Sequence, residues 1–229
     1  NSSGTAISGY TNGAFSYTAT DTGSGVSYLQ YKKPGSSSWL SYTSGTTIAS
    51  TATNGQYQFR AVDKAGNVSD TQTIYLDSAA PTGTIKNSSG TAISGYTGGA
   101  FSYTATDTGS GVSYLQYKMP GSSSWTTYSS GTTISASATN GLYQFRAVDN
   151  AGNTSAVSSI YLDTAIPTGK ITDSNGTTVT TTTNKAFKYT ASDGLSGIAY
   201  MQYKKPNSTV WETYAAGTLI QTTDTNGIY

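Results

Sequence analysis

Residues 57–69 read YQFRAVDKAGNVS and residues 143–155 read YQFRAVDNAGNTS, the same phrase 86 positions on, with only Lys64/Asn150 and Val68/Thr154 exchanged. Within it Tyr57, Phe59 and Ala61 fall on alternate positions, the period-two pattern of a strand with one face in a core. The strand runs into DKAGN or DNAGN, where Asp, Gly and Asn supply turn chemistry. Working outward at the same shift, AFSYTATDTGSGVSYLQYK at 14–32 recurs unchanged at 100–118, and AFKYTASDGLSGIAYMQYK lies in register at 186–204 without a gap. A fixed internal period outranks chain length as a guide to domain count, so the 229 residues divide into repeats.

One complete repeat, counted from Pro81, contains TGTIK, TAISG, AFSYTATD, VSYLQYK, an edge segment from Trp125 to Tyr128, GTTISA, YQFRAVD and SSIYLD. Seven or eight short alternating segments separated by Gly-, Asn- and Ser-rich turns predict an all-β fold of tandem sandwiches. The third copy tests this internally. It replaces Ile93 by Val179, Val112 by Ile198 and Leu115 by Met201 while keeping Phe187, Tyr189, Tyr200, Trp211 and Tyr214, so apolar character is held as identity drifts.

Tyr57, Phe59, Ala61, Asp63, Gly66 and Ser69 resemble the sixth strand of fibronectin type III and related immunoglobulin-like sandwiches. Together with AVDKAGN, DTGSGV and LDSAAPTG, this set resembles the bacterial immunoglobulin-like repeats found in tandem on extracellular surface proteins. Phe15 and Tyr17 stand in the second strand, where fibronectin modules usually carry a Trp, and Trp39 comes later, which favours the bacterial immunoglobulin-like label. The resemblance implies sandwiches of about seven strands, which the repeat period places at 1–80 with its first strand incomplete, 81–166, and 167–229 with its last two strands missing. It also implies that Tyr57 and Tyr143 are tyrosine-corner residues, their hydroxyls bonded to nearby backbone.

The linkers DSAAPTG (77–83) and DTAIPTG (163–169) are short, and Pro81 and Pro167 fix φ and hold the preceding residue extended. Stiff coupling of neighbouring repeats is therefore expected. The third repeat reaches Tyr229, the counterpart of Tyr143, and the equivalents of QFRAVD and SSIYLD lie past it. Either the array continues beyond this segment or another copy of the chain supplies those strands by exchange at the C-terminal end.

The sequence contains neither His nor Cys. That removes Ser-His-Asp and Cys-His catalysis, disulfides and most transition-metal sites, and the repeats are read as non-enzymatic. A net charge of +1 leaves no electrostatic footprint for nucleic acid or an anionic membrane, so a polyanion is not an expected partner, and no apolar run approaches the ~20 residues of a membrane-spanning helix. No cofactor is expected apart from Ca²⁺. The candidate ligands are Asp63, Asn67 and Asp77, and Asp149, Asn153 and Asp163, with Asp77 at a linker joined by Asp63 or Asn67 from an adjoining loop. The competing reading is that these aspartates cap turns.

With 19 Tyr and 3 Trp, the chain also has candidate ligand-contact aromatics in the recurring W-x-x-Y pairs Trp39/Tyr42, Trp125/Tyr128 and Trp211/Tyr214. These pairs either cover a sandwich edge or form a strip for a glycan or host surface protein. The expected function is a structural stalk or fibre segment of an extracellular bacterial surface protein of adhesin type. Its principal partners would be neighbouring repeats. A binding repeat and a self-assembling filament or phage-appendage subunit are the alternatives.

Overall fold

The computed structural model describes residues 1 and 3–229. Its first repeat carries β1 (Gly9–Thr11), β2 (Val26–Lys32), β3 (Leu40–Tyr42), β4 (Gly55–Asp63) and β5 (Gln72–Leu76). The second carries β6 (Thr82–Asn87), β7 (Gly95–Thr97), β8 (Phe101–Thr106), β9 (Val112–Lys118), β10 (Thr126–Tyr128), β11 (Gly141–Asp149) and β12 (Ser158–Leu162). The third carries β13 (Thr168–Asp173), β14 (Phe187–Ser192), β15 (Met201–Tyr203) and β16 (Glu212–Tyr214). The fold is all-β, a tandem of immunoglobulin-like sandwiches, and no helix occurs among the described residues.

The second repeat shows the unit in full. Its larger sheet has the order β10-β9-β11-β12-β7, and the smaller is the β6-β8 pair, extended by a bridge between Phe101 and Ile134. After β6 the chain changes sheets, so that β7 pairs in parallel with β12 while every other pairing is antiparallel. TAISG, read from sequence as a strand, contributes a bridge from Ala92 to Lys86 and, at its last residue Gly95, the start of β7. GTTISA contributes a bridge at Ile134, which exchanges two backbone bonds with Phe101, and one further bond from the Gly131 amide to Tyr103 O at 3.0 Å, too little for a strand.

The alternation of β11 puts Tyr143, Phe145 and Ala147 inward, each buried. Phe145 is the hub. Tyr103, Tyr128, Tyr117 and Phe101 surround it at centroid distances of 5.0, 5.1, 6.1 and 6.2 Å, and Leu115, Ile160 and Leu162 close the space around them. Phe59 is the hub of the first repeat, with Tyr17, Tyr42, Tyr31 and Phe15 at 5.1, 5.2, 6.1 and 6.2 Å. Offset stacked and edge-on aromatic packing of this kind contributes about 0.5–1.5 kcal/mol per pair beyond area burial.

Backbone at Gly83 lies directly on the Tyr103 ring. A Cβ there would stand 1.8 Å from Tyr103 Oη, and Gly169 meets Tyr189 in the same way at 1.9 Å. Glycine is required at both positions for the strands to cross over the ring.

Strands exist where their partners do. AFSYTATD forms β8 and β14, but residues 15–20 have only the Phe15 to Ile48 bridge. The register that pairs Asn87 with Phe101 would pair Phe15 with Asn1 and place the ladder partners of residues 16–20 before it. In the third repeat the counterpart of β9 shrinks from seven residues to three. Two cavities of about 650 and 520 Å³ there share Ile171, Phe187, Ile220 and Tyr229, in space corresponding to that filled by Phe145, Ile160 and Leu162 in the second repeat.

Candidate functional site

The most developed polar constellation lies where the first repeat meets the second. Asp77 follows β5, its amide bonded to Thr11 O at 2.9 Å, and its side chain is fully buried. One carboxylate oxygen accepts the Ala79 amide at 3.0 Å within the linker. The other accepts the Ser110 amide of the second repeat at 2.6 Å. Asn153 of the second repeat donates its Nδ2 to the Asp77 carbonyl at 2.8 Å. Ser78 is anchored back to the first repeat, its amide and hydroxyl donating to Asn54 Oδ1 at 3.1 and 3.0 Å.

The approach is close because residue 109 is glycine. A Cβ on Gly109 would lie 2.3 Å from Asp77 Oδ2. Burial pushes the Asp77 carboxyl up, but the side chain and amide of Ser110 and the amide of Ala79 together hold it below its ordinary range.

Two carboxylates of the second repeat converge on the same place. Carboxylate oxygens of Asp77, Asp107 and Asp149 lie within 4.8 Å of one another. Asp107 Oδ2 accepts the Gly109 and Gly111 amides at 3.1 and 2.7 Å. The two oxygens of Asp149 accept the Asn153 amide and Nδ2 at 2.8 and 2.7 Å.

This corrects the grouping expected from sequence. Asp63 and Asn67 do not join Asp77. Gly55 pairs with Leu76 beside Asp77, whereas Asp63 ends β4 eight residues on, about 26 Å away at the rise of a strand. Asp63 instead caps its own turn, accepting the Asn67 amide and Nδ2, each at 2.7 Å, and Asn67 chiefly holds its carboxyl below the ordinary range. The linker Asp meets loops of the repeat that follows it, so Asp77 meets Asp149 and Asn153.

As a cation site the group is poorly supplied. Ca²⁺ takes six to eight oxygens, yet both oxygens of Asp77 and Asp149 and one of Asp107 already accept N–H bonds. Asp107 Oδ1 alone has no donor among the described residues. The donor set fits amide capping better than it fits Ca²⁺.

Asp163 repeats the construction at the second linker. Its oxygens accept the amides of Ala165 at 3.1 Å and Ser196 at 2.9 Å, while Thr164 is tied to Asn140. Its carboxyl is held below the ordinary range, chiefly by the Ser196 side chain. The counterpart of Gly109 is Leu195, and the Ser196 bond is longer than that of Ser110.

The W-x-x-Y pairs separate. An offset of three along an extended segment sends the two side chains to opposite faces. Tyr42, Tyr128 and Tyr214 are buried, and each hydroxyl accepts an amide of the facing sheet, from Tyr17, Tyr103 and Tyr189 at 3.0, 2.9 and 2.9 Å. Each also donates to the carbonyl four residues on, at Thr46, Thr132 and Thr218. They are staples between sheets and offer no ligand surface. Trp39 and Trp125 lie half-buried on the outward face, and Trp211 is 58% exposed.

Lys32 Nζ and Arg60 Cζ stand 4.8 and 4.1 Å from the Trp39 centroid; Lys118 and Arg146 stand 4.8 and 4.3 Å from Trp125; Lys204 is 4.9 Å from Trp211. Tyr57 and Tyr143 are buried, each donating its hydroxyl to the carbonyl four residues earlier, Thr53 or Thr139, at 3.0 Å. Sequence reasoning missed Ser110 and Gly109 at the junction and Gln30, Lys32 and Arg60 on the face. The alternation in VSYLQYK, with Tyr28, Gln30 and Lys32 on the side opposite Leu29 and Tyr31, was the available signal for the second group.

Among solved structures, the chain is similar to the fibronectin(III)-like modules of Clostridium thermocellum CbhA, at 18% identity and a TM-score of 0.35, over 70% of this chain and 90% of that chain. No family model and no curated protein matches it.

Proposed function

We propose that this chain is a non-enzymatic structural array, a stalk or fibre segment of an extracellular bacterial surface protein of adhesin type, spacing a distal module from the cell. The observation that carries the reading is the junction. Asp77 accepts bonds from its own linker and from the next repeat, and Asp163 repeats the pattern 86 residues later. A segment whose role is to hold distance needs its units fixed at the joints, and a buried carboxylate spanning two units resists bending as a free linker does not. The Gly-, Ser-, Thr- and Tyr-rich composition supports the extracellular reading, and a sequence without His or Cys lacks the usual nucleophile–base pairs of catalysis.

The test is a distance distribution between spin labels placed in the first and second repeats. A single narrow peak that broadens in Asp77→Ala is the expected result. A broad distribution in the unaltered chain would remove the spacer reading.

A further inference from the structure

The outward face of the sheet β1-β5-β4-β2-β3 holds a group that the junction does not explain. By register, Gln30 lies opposite Arg60, and Lys32 opposite Gln58, all on the side away from Phe59. Arg60 donates its Nε to Gln30 Oε1 at 2.9 Å and rests on the Trp39 ring. Held at its inner edge and on one face, the guanidinium keeps its two terminal nitrogens without an acceptor among the described residues. Neither Arg60 nor Lys32 has a carboxylate partner there, the ion pairs of the described residues being Lys185 with Asp173 and Lys205 with Glu212. The outward positions of β2, β4 and β5 include no Asp or Glu. The acids of this repeat sit elsewhere, Asp21 and Asp63 in their turns, Asp70 in the segment before β5 and Asp77 at the junction, and none of them pairs with Arg60 or Lys32. Exposed Tyr28 extends the same face.

The second repeat reproduces the arrangement, with Arg146 Nε on Gln116 Oε1 at 2.9 Å, Trp125 beneath and Lys118 beside it. In the third repeat Tyr200, Gln202, Lys204 and Trp211 persist, although core positions such as Leu115 have changed. Core packing does not account for keeping these outward side chains.

We infer that this face binds an acidic polysaccharide, the Arg60 fork and Lys32 taking a uronate carboxylate while exposed Tyr28 and the Gln30 and Gln58 amides offer ring and hydroxyl contacts and Trp39 serves as the support on which Arg60 and Lys32 lie. Planar guanidinium recognises carboxylate bidentately, and pre-orientation by Gln30 and Trp39 lowers the ordering cost of that contact. Exposed Tyr28 beside amides suits a sugar, which presents C–H faces and hydroxyls together. Successive copies of the site on one chain suit a repeating polymer, since the second contact forms at high effective concentration. The inference is independent of the spacer reading.

Native electrophoresis through gels containing polygalacturonate tests it, with fully methyl-esterified polygalacturonate and sodium polyphosphate as the other arms. Polygalacturonate should retard the chain. Esterification, or the double variant Arg60→Met/Arg146→Met, should weaken retardation about tenfold, and polyphosphate should retard less than polygalacturonate. If the arginine variant does not fold, Lys32→Met/Lys118→Met, which leaves the Arg–Trp stack in place, gives the same readout with a smaller loss. No retardation by polygalacturonate, equal retardation by polyphosphate, or full binding by the folded variants would overturn the assignment.

Discussion

Tyr103 and Tyr128 put two hydroxyls into one core with opposite consequences. The Tyr128 hydroxyl accepts the Tyr103 amide and donates to Thr132 O, joining the two sheets. The Tyr103 hydroxyl is fully buried against Gly83 and, although the Ser155 and Ser158 side chains are near it, makes no hydrogen bond of normal geometry among the described residues. A buried polar group without a partner keeps its desolvation cost, whereas loss of a bridging group leaves a donor and an acceptor stranded. Tyr128→Phe is therefore expected to lower stability by about 1–2 kcal/mol, and Tyr103→Phe to leave it unchanged or raise it. Urea melts of the two variants side by side check this, and equal losses would contradict it. At Gly83 a methyl group would stand within 2.6 Å of three atoms of the buried Tyr103 side chain, so the ring would have to move out of its packed position. Gly83→Ala should cost more than either tyrosine variant, with a lowered denaturation midpoint in the same melts.

For elements, pairing decides length more than propensity does. VSYLQYK has the same sequence in β2 and β9 and gives seven residues of strand in each, because β4 or β11 lies beside it. IAYMQYK in the third repeat keeps the alternation but has β16 alone as partner, and only Met201–Tyr203 forms strand. Hydrogen exchange read on peptides 112–118 and 198–204 should show slow exchange in the first and fast exchange in the second. Equal protection would mean that strand length here is set locally.

The strands were legible in sequence because a half-buried strand writes its period into every second residue. The inward role of Tyr42 was implicit in its offset of three from Trp39, since odd offsets cross the sheet. The junction was not legible, because the partner of Asp77 depends on which end of β4 the chain leaves. That end is fixed by the register of Gly55 with Leu76, which no local pattern records. Arg60 on Trp39 was hidden for a related reason: the contact crosses from β4 over β2 to the start of β3.

For the whole molecule, the joints are carboxylates, and their ionisation sets when the repeats stay coupled. Asp77 and Asp163 are both held below their ordinary range in the joined state, through Ser110 and Ala79 at the first joint and Ser196 and Ala165 at the second. A group with a depressed pKa in the joined state binds its proton more readily when the joint opens, so protonation favours opening. Coupling should therefore be constant from neutral pH down to the ordinary Asp range near 3.8 and weaken as pH falls through the depressed values below it. In Asp77→Asn an amide nitrogen or a neutral oxygen replaces the charged acceptor facing the Ser110 amide. That joint should be loosened at every pH and show no further acid transition. Spin-label distances between the first and second repeats from pH 7 to pH 2.5, with far-ultraviolet circular dichroism confirming that the sandwiches stay folded, separate opening of the joint from loss of the fold. A distance unchanged at pH 2.5 would show that contacts other than the carboxylate hold the repeats. Because each oxygen of Asp77 and Asp149 already accepts an N–H bond and the group offers few further oxygens toward the six to eight that Ca²⁺ takes, excess EGTA at pH 7 should change neither that distance nor the melting temperature. A shift in either would mean that the three carboxylates act through a cation after all.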